Sequence, residues 1–213
     1  MNKITLVIIV INVLASIKGF KDSTFFNRYK FQVGPILERD YIRILSSGFL
    51  HLDFNHLLFN MLTLYFFADY LIYSIGAMAF ISIYLLSLIG GNLLTLFYHK
   101  KEYSYSAVGA SGAVSGVLFS FILLFPMEKI YIMFIPIGIP AYIVGVAYLA
   151  YTIFGMKRQL GNIGHSAHLG GAITGLLLMV LFHPELVQTR INTLILLSIP
   201  LIAFLILGKK FNR

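Results

Sequence analysis

Apolar residues dominate seven stretches of the chain, 4–20, 49–73, 76–98, 106–125, 130–154, 165–182 and 191–208, and short polar segments separate them. A bilayer core about 30 Å thick takes roughly 20 residues of helix, so each run approximates one transmembrane span. The first run, ITLVIIVINVLASI, has the length of a signal-peptide core. Six further runs follow it and the small-residue cleavage pattern is unconvincing, so it reads as a retained span. One linker stands out, KDSTFFNRYKFQVGPILERDYIRILSSG over 21–48, which mixes charges, aromatics and Pro35. That mixture predicts a structured segment lying at the membrane interface. The fifth run contains FIPIGIP, where Pro136 and Pro140 each remove a backbone donor and predict a kinked, irregular middle. No sequence repeat, low-complexity tract or soluble domain interrupts the pattern. The expectation is an all-α polytopic membrane protein forming one domain over 1–213, with a core of about 1–183 and an extra C-terminal span at 191–208.

Polar side chains inside these runs are the informative exceptions, because hydrocarbon makes each of them costly without a partner or a function. Run 2 carries HLDFNHLLFNM, with His56 and Asn60 four residues apart on one helix face. Run 4 opens with YSYSAVGASGAVSG, which contains Ser111; run 6 opens with HSAHLGGAITG, which contains His165, His168, Gly171 and Gly175. Runs 2, 4 and 6 enter the membrane from the same side. At a rise of 1.5 Å per residue, His56, Ser111 and His168 lie on the order of 5–10 Å below that surface.

A hydroxyl, imidazoles and an amide at one depth suit acyl transfer. Serine becomes a nucleophile when a neutral imidazole takes its proton, and the oxyanion that follows needs preorganised donors. His56 and Asn60 are side-chain donors of the right kind, and backbone N–H groups near Ser111 add the positive end of a helix dipole. No acidic residue occurs between Glu128 and Glu185, and Glu102 is the nearest one before Ser111, so a Ser-His dyad is expected rather than a triad. Gly112 with Gly116, and Gly171 with Gly175, are small-xxx-small pairs that allow two helices to approach closely, which would bring Ser111 to His168.

Composition narrows the field. Hydrophobic residues make up 59% and charged residues 11% of the chain, with a mean hydropathy of +0.87. The absence of cysteine excludes disulfides and thiolate metal clusters. The net charge of +8 comes from Lys and Arg in short linkers, not from a contiguous stripe, so lipid headgroups and not nucleic acid are the expected partner.

Taken together, the motifs resemble those of the rhomboid intramembrane serine proteases: His51, His56 and Asn60 as H-x4-H-x3-N, Gly109 to Gly112 as G-x-S-G, and Ala167, His168, Gly171 and Gly175 as A-H-x-x-G-x-x-x-G. The resemblance implies six helices around a water-filled cavity, the seventh run being the extra span of some members. It implies Ser111 as nucleophile, His168 as general base, and His56, Asn60 and the Ser111 N–H as the oxyanion hole. The implied substrates are single-span membrane proteins cleaved in or near their transmembrane segments, with no cofactor. Two positions depart from the family pattern. Ile42-Arg43 stands where a Trp-Arg pair is usual, and Ser115 stands where many members carry an aromatic ring stacked on the catalytic histidine; His165 or a tyrosine elsewhere is the candidate replacement.

Other readings compete. GASGAVSG alone is a helix-packing surface, His56 with Asn60 alone an interhelical hydrogen-bonded pair, and His51 an interfacial residue or a structural one near the site. A metal site built from His51, Asp53, His56, His165 and His168 would lack the His-Glu-x-x-His signature and leave Ser111 and Asn60 without a role, so no metal is expected. A non-catalytic rhomboid-like protein that binds transmembrane clients is the alternative function, although both Ser111 and His168 are present. A transporter would carry its polar groups at the midplane of broken helices. The family places its site on the extracytoplasmic side of the cell membrane. Positive charge argues the opposite, since 13 of the 16 basic residues fall on the site side of a seven-span chain. The family orientation is preferred here because the 21–48 linker, if embedded at the interface, escapes the charge rule.

Overall fold

In the computed structural model, residues 1–132, 136–158 and 164–208 are described. Helix α1 (Lys3–Lys21) starts where the Asn2 side chain accepts from the Ile4 N–H, and it ends with Lys18 and Lys21 at its negative dipole end. Asp22 then caps a short α2 (Ser23–Tyr29). The rest of the long linker folds as β1 (Phe31–Gln32), α3 (Val33–Leu37) and α4 (Ile42–Ser46), so it is structured throughout.

Helices α5 (Phe54–Ile75) and α6 (Ala77–His99) are joined by Gly76 alone, whose φ of 84° is the left-handed conformation a reversal this tight requires. After β2 (Ser106–Ala107) come α7 (Ser111–Leu124), a hairpin of β3 (Lys129–Tyr131) and β4 (Gly138–Pro140), α8 (Ala141–Arg158), α9 (His165–Phe182), α10 (Leu186–Thr189) and α11 (Ile191–Gly208). Helices α6, α7 and α9 make the central packing, with α5 against α7, α8 against α9 and α11, and α1 against α5. Among the described residues, four helices, α1, α5, α6 and α9, are long and apolar enough to cross a membrane by length and composition. The chain is an all-α, multi-pass membrane bundle.

Three expectations change. The second helix begins at Phe54, five residues later than the apolar run, because Asp53 caps it by accepting from the His56 N–H at 2.8 Å; His51 therefore lies outside the helix. The fifth run is not helical from 130. Lys129–Tyr131 pairs antiparallel with Gly138–Pro140, and α8 starts only at Ala141. Pro136 and Pro140 thus precede the helix instead of kinking it, as suits residues that cannot donate to a helical ladder. The fourth helix begins at Ser111, not 106. Its 14 residues span about 21 Å, some 9 Å less than a bilayer core. An extended segment stands where its first turns were expected.

Candidate active site

The strand that delivers Ser111 is held by the 21–48 linker. Phe31 pairs with Ala107 and Gln32 with Ser106, and the Val33 and Gly34 N–H groups donate to the Tyr105 and Tyr103 carbonyls at 3.1 and 3.0 Å. The chain then turns at Gly109, φ 131°, before α7 begins. A side chain there would be doubly excluded: its Cβ would lie 2.7 Å from His56 Nε2 as well as being backbone-strained. The same point lies 3.7 Å from Ser111 Oγ, so Gly109 is what lets the His56 ring and the Ser111 hydroxyl share one corner.

Ser111 is the first residue of α7, where backbone N–H groups have no partner within the helix. Asn60, one turn along α5 from His56, donates from Nδ2 to the His56 carbonyl at 2.9 Å, which uses one of its two amide protons and leaves the other. His168 lies in the first turn of α9, its N–H bonded to the Gly164 carbonyl at 3.0 Å. Ser111, His168, His56, Asn60 and Gly109 all line one cavity of about 1040 Å³.

Small residues set the approach of α7 and α9. A Cβ on Gly171 would overlap the Gly112 carbonyl oxygen, and one on Gly175 would overlap that of Gly116. Gly112 in turn faces the Ala167 carbonyl, 3.4 Å from where its own Cβ would be, so the residue after Ser111 meets the residue before His168.

The support of the His168 ring comes from α8. Tyr148 stacks on it with centroids 5.9 Å apart and planes at 26°, and Tyr148 Oη lies 2.9 Å from Ser115 Oγ. The small side chain at position 115 leaves room for a ring from another helix and fixes it by hydrogen bond. His165 meets His168 edge-on at 6.3 Å and covers Gly155, so it packs beside the site. Tyr148 carries no local spacing signal, because its partners lie on α7 and α9; only the missing ring at 115 hinted that a tyrosine was needed.

Two other predicted residues stand behind the cavity rather than in its wall. Arg43, 7% exposed, donates from Nη1 to the Asn27 and Lys30 carbonyls at 2.8 and 3.0 Å, and from Nε to Asp40 at 2.8 Å. That hydrogen bond, with the charges of Arg28 and Arg43, holds Asp40 below the usual carboxylate range. His51 is fully buried behind Gly109 and Ala110. Asn92 on α6 was not singled out by sequence; its amide donates to the Ile44 carbonyl at 2.7 Å and to Ser47 Oγ at 3.1 Å, and the Ser47 carbonyl accepts from the Gly109 N–H at 3.0 Å. No group of three or more His, Asp or Glu side chains able to hold a metal ion occurs among the described residues.

Residues 38–185 match the Rhomboid domain family. Rhomboid protein 1, mitochondrial, of Saccharomyces cerevisiae is 38% identical over 149 residues, covering 67% of this chain and 43% of that protein. RHOMBOID-like protein 12, mitochondrial, of Arabidopsis thaliana is 31% identical over 144 residues, covering 61% and 43%. The chain thus spans about two fifths of the length of these curated relatives. With the family match extending from the 21–48 linker to just past the end of α9, the chain belongs to the rhomboid family of multi-pass membrane proteins.

Proposed function

We propose that this rhomboid is an intramembrane serine endopeptidase that cleaves single-span membrane proteins in or beside their transmembrane segments. The reading rests on one observation above all: Ser111, His168, His56 and Asn60, from three helices, share the wall of one cavity. In this mechanism His168 takes the Ser111 proton as Oγ attacks the scissile carbonyl. The oxyanion is met by the His56 and Asn60 side chains and the Ser111 N–H. His168 then protonates the leaving amine, and water entering the cavity hydrolyses the acyl-enzyme by the reverse proton route.

The test uses the purified full chain in lipid vesicles with a model transmembrane substrate. Cleavage by the wild type and none by Ser111→Ala or His168→Ala is expected; equal cleavage by all three ends the dyad. Asn60→Ala is expected to lower the rate by up to about 10² to 10³, the scale of a lost oxyanion donor.

The site is proposed to face the extracytoplasmic side of the cell membrane. Gln159, the natural place for a reporter cysteine, lies outside the described residues; Lys101, exposed in the linker before β2, serves instead. Lys101→Cys, the only thiol in the chain, should react with an impermeant reagent on intact cells, and labelling only after lysis reverses the orientation.

A further inference from the structure

Behind the strand leading into Ser111 runs a chain of hydrogen bonds that acyl transfer does not itself require. The Ala110 N–H donates to His51 Nε2 at 3.4 Å, His51 Nδ1 lies 2.9 Å from Ser16 Oγ, and Ser16 Oγ donates to the Phe49 carbonyl at 3.1 Å. Only one proton arrangement satisfies all three. A backbone N–H can only donate, so Nε2 accepts; a neutral imidazole then carries its proton on Nδ1 and gives it to Ser16, whose own proton goes to Phe49. Ser16 and His51 are both 0% exposed, so water cannot substitute for either.

The chain ends on the peptide that precedes the candidate nucleophile. Gly109 is separately tied to Ser47, so the N–H groups of two consecutive residues are fixed before Ser111 begins α7. His51 also meets the His56 ring edge-on at 5.0 Å, which bounds the other side of the same corner. The contact to Ala110 is long for an N–H hydrogen bond, so a small shift of His51 breaks it. Ser16 is the hydrogen-bond partner of the other ring nitrogen, and it lies on α1, outside residues 38–185 that match the family.

We propose that Ser16, acting through His51, is a positioning residue that holds the Ala110 peptide and thereby orients the Ser111 N–H and hydroxyl. The inference rests on the protease reading, and the experiment separates the two. Full-length protein in vesicles is compared as wild type, Ser16→Ala and Ser16→Thr, reading kcat, KM and amide hydrogen exchange over 106–112. The expected result for Ser16→Ala is a kcat about tenfold lower, the scale of one net hydrogen bond, with KM unchanged. Exchange at Ala110 speeds at least about tenfold while α1 amides keep their protection, and Ser16→Thr restores both. Wild-type exchange at Ala110 in Ser16→Ala overturns the proposal, as does a loss accompanied by faster exchange throughout α1, which marks simple loss of packing. If the wild type cleaves nothing, the protease reading fails, and the exchange arm still decides whether Ser16 holds the strand.

Discussion

Removing the Tyr148 ring isolates the support of His168 from every other feature of the site. The stack, with centroids at 5.9 Å and planes at 26°, falls within the range in which aromatic pairs contribute about 0.5–1.5 kcal/mol beyond buried area. If that energy orients the base, Tyr148→Leu lowers kcat by roughly 2- to 12-fold, since each 1.4 kcal/mol is tenfold. The effect stays this small because the edge contact from His165 remains. Tyr148→Phe keeps the ring and loses only the contact with Ser115 Oγ, so kcat should hold near wild type. Its cost appears in stability instead, about 1–3 kcal/mol for a buried hydroxyl left unpaired. The assay is single-turnover cleavage of a transmembrane substrate, alongside the rate at which a fluorophosphonate labels Ser111. A third variant sharpens it: Ser115→Phe with Tyr148→Ala restores a ring from α7, the position many family members use. Wild-type kcat in Tyr148→Leu refutes the stacking argument, and an equal fall in Tyr148→Phe and Tyr148→Leu moves the effect from the ring to the hydroxyl.

Gly171→Val forces a branched side chain into the Gly112 carbonyl and should lower stability by about 1–3 kcal/mol as α9 is pushed from α7, read as the unfolding midpoint in detergent; an unchanged midpoint would show that the seam is loose. Asp40, whose pKa is depressed, stabilises the linker above its unfolded pKa and ceases to do so as pH falls through its folded one. Pepsin cleavage within 23–46 should therefore rise more steeply in wild type than in Arg43→Met between about pH 5 and pH 2, and parallel profiles would remove the pair from any role in linker order.

Hydropathy located α1, α6 and α9 to within a residue because nothing but apolar sequence competes there, and α11 matches its run from 191 to 208. It started α8 eleven residues early: Ile130, Ile132 and Ile137 score as membrane, while Pro136 and Pro140 disfavour a helix through this stretch, which hydropathy cannot register. It began α7 five residues early for a different reason. Ser106 and Ala107 take their hydrogen-bond partners from Phe31 and Gln32, and that pairing is tertiary. Of the polar residues singled out within the apolar runs, His56, Asn60, Ser111, His165 and His168 line one cavity and His51 stands behind it, since cost in hydrocarbon is a property of the residue itself. Tyr148, Asn92 and Ser16 are legible only through neighbours far along the chain, on α8, α6 and α1.

Packing and chemistry are not separable at the glycines. The carbonyl of Gly112 is the contact that limits α9, and Gly112 follows Ser111 directly; Ala167, which faces Gly112, precedes His168 directly. Any substitution that widens this seam also moves Ser111 from His168, so on the protease reading stability and rate should fall together. The braces behave differently. Tyr148 and Ser16 brace a ring and a peptide of the site without setting the α7–α9 distance, so the fall in kcat of Tyr148→Leu is read against Tyr148→Phe, which loses the Ser115 bond and its stability but keeps the ring. A site arranged this way has two kinds of sensitive residue. Only at the second kind can rate be separated from stability by paired variants, which is why positions 148 and 16, rather than the glycine motifs, carry the decisive experiments.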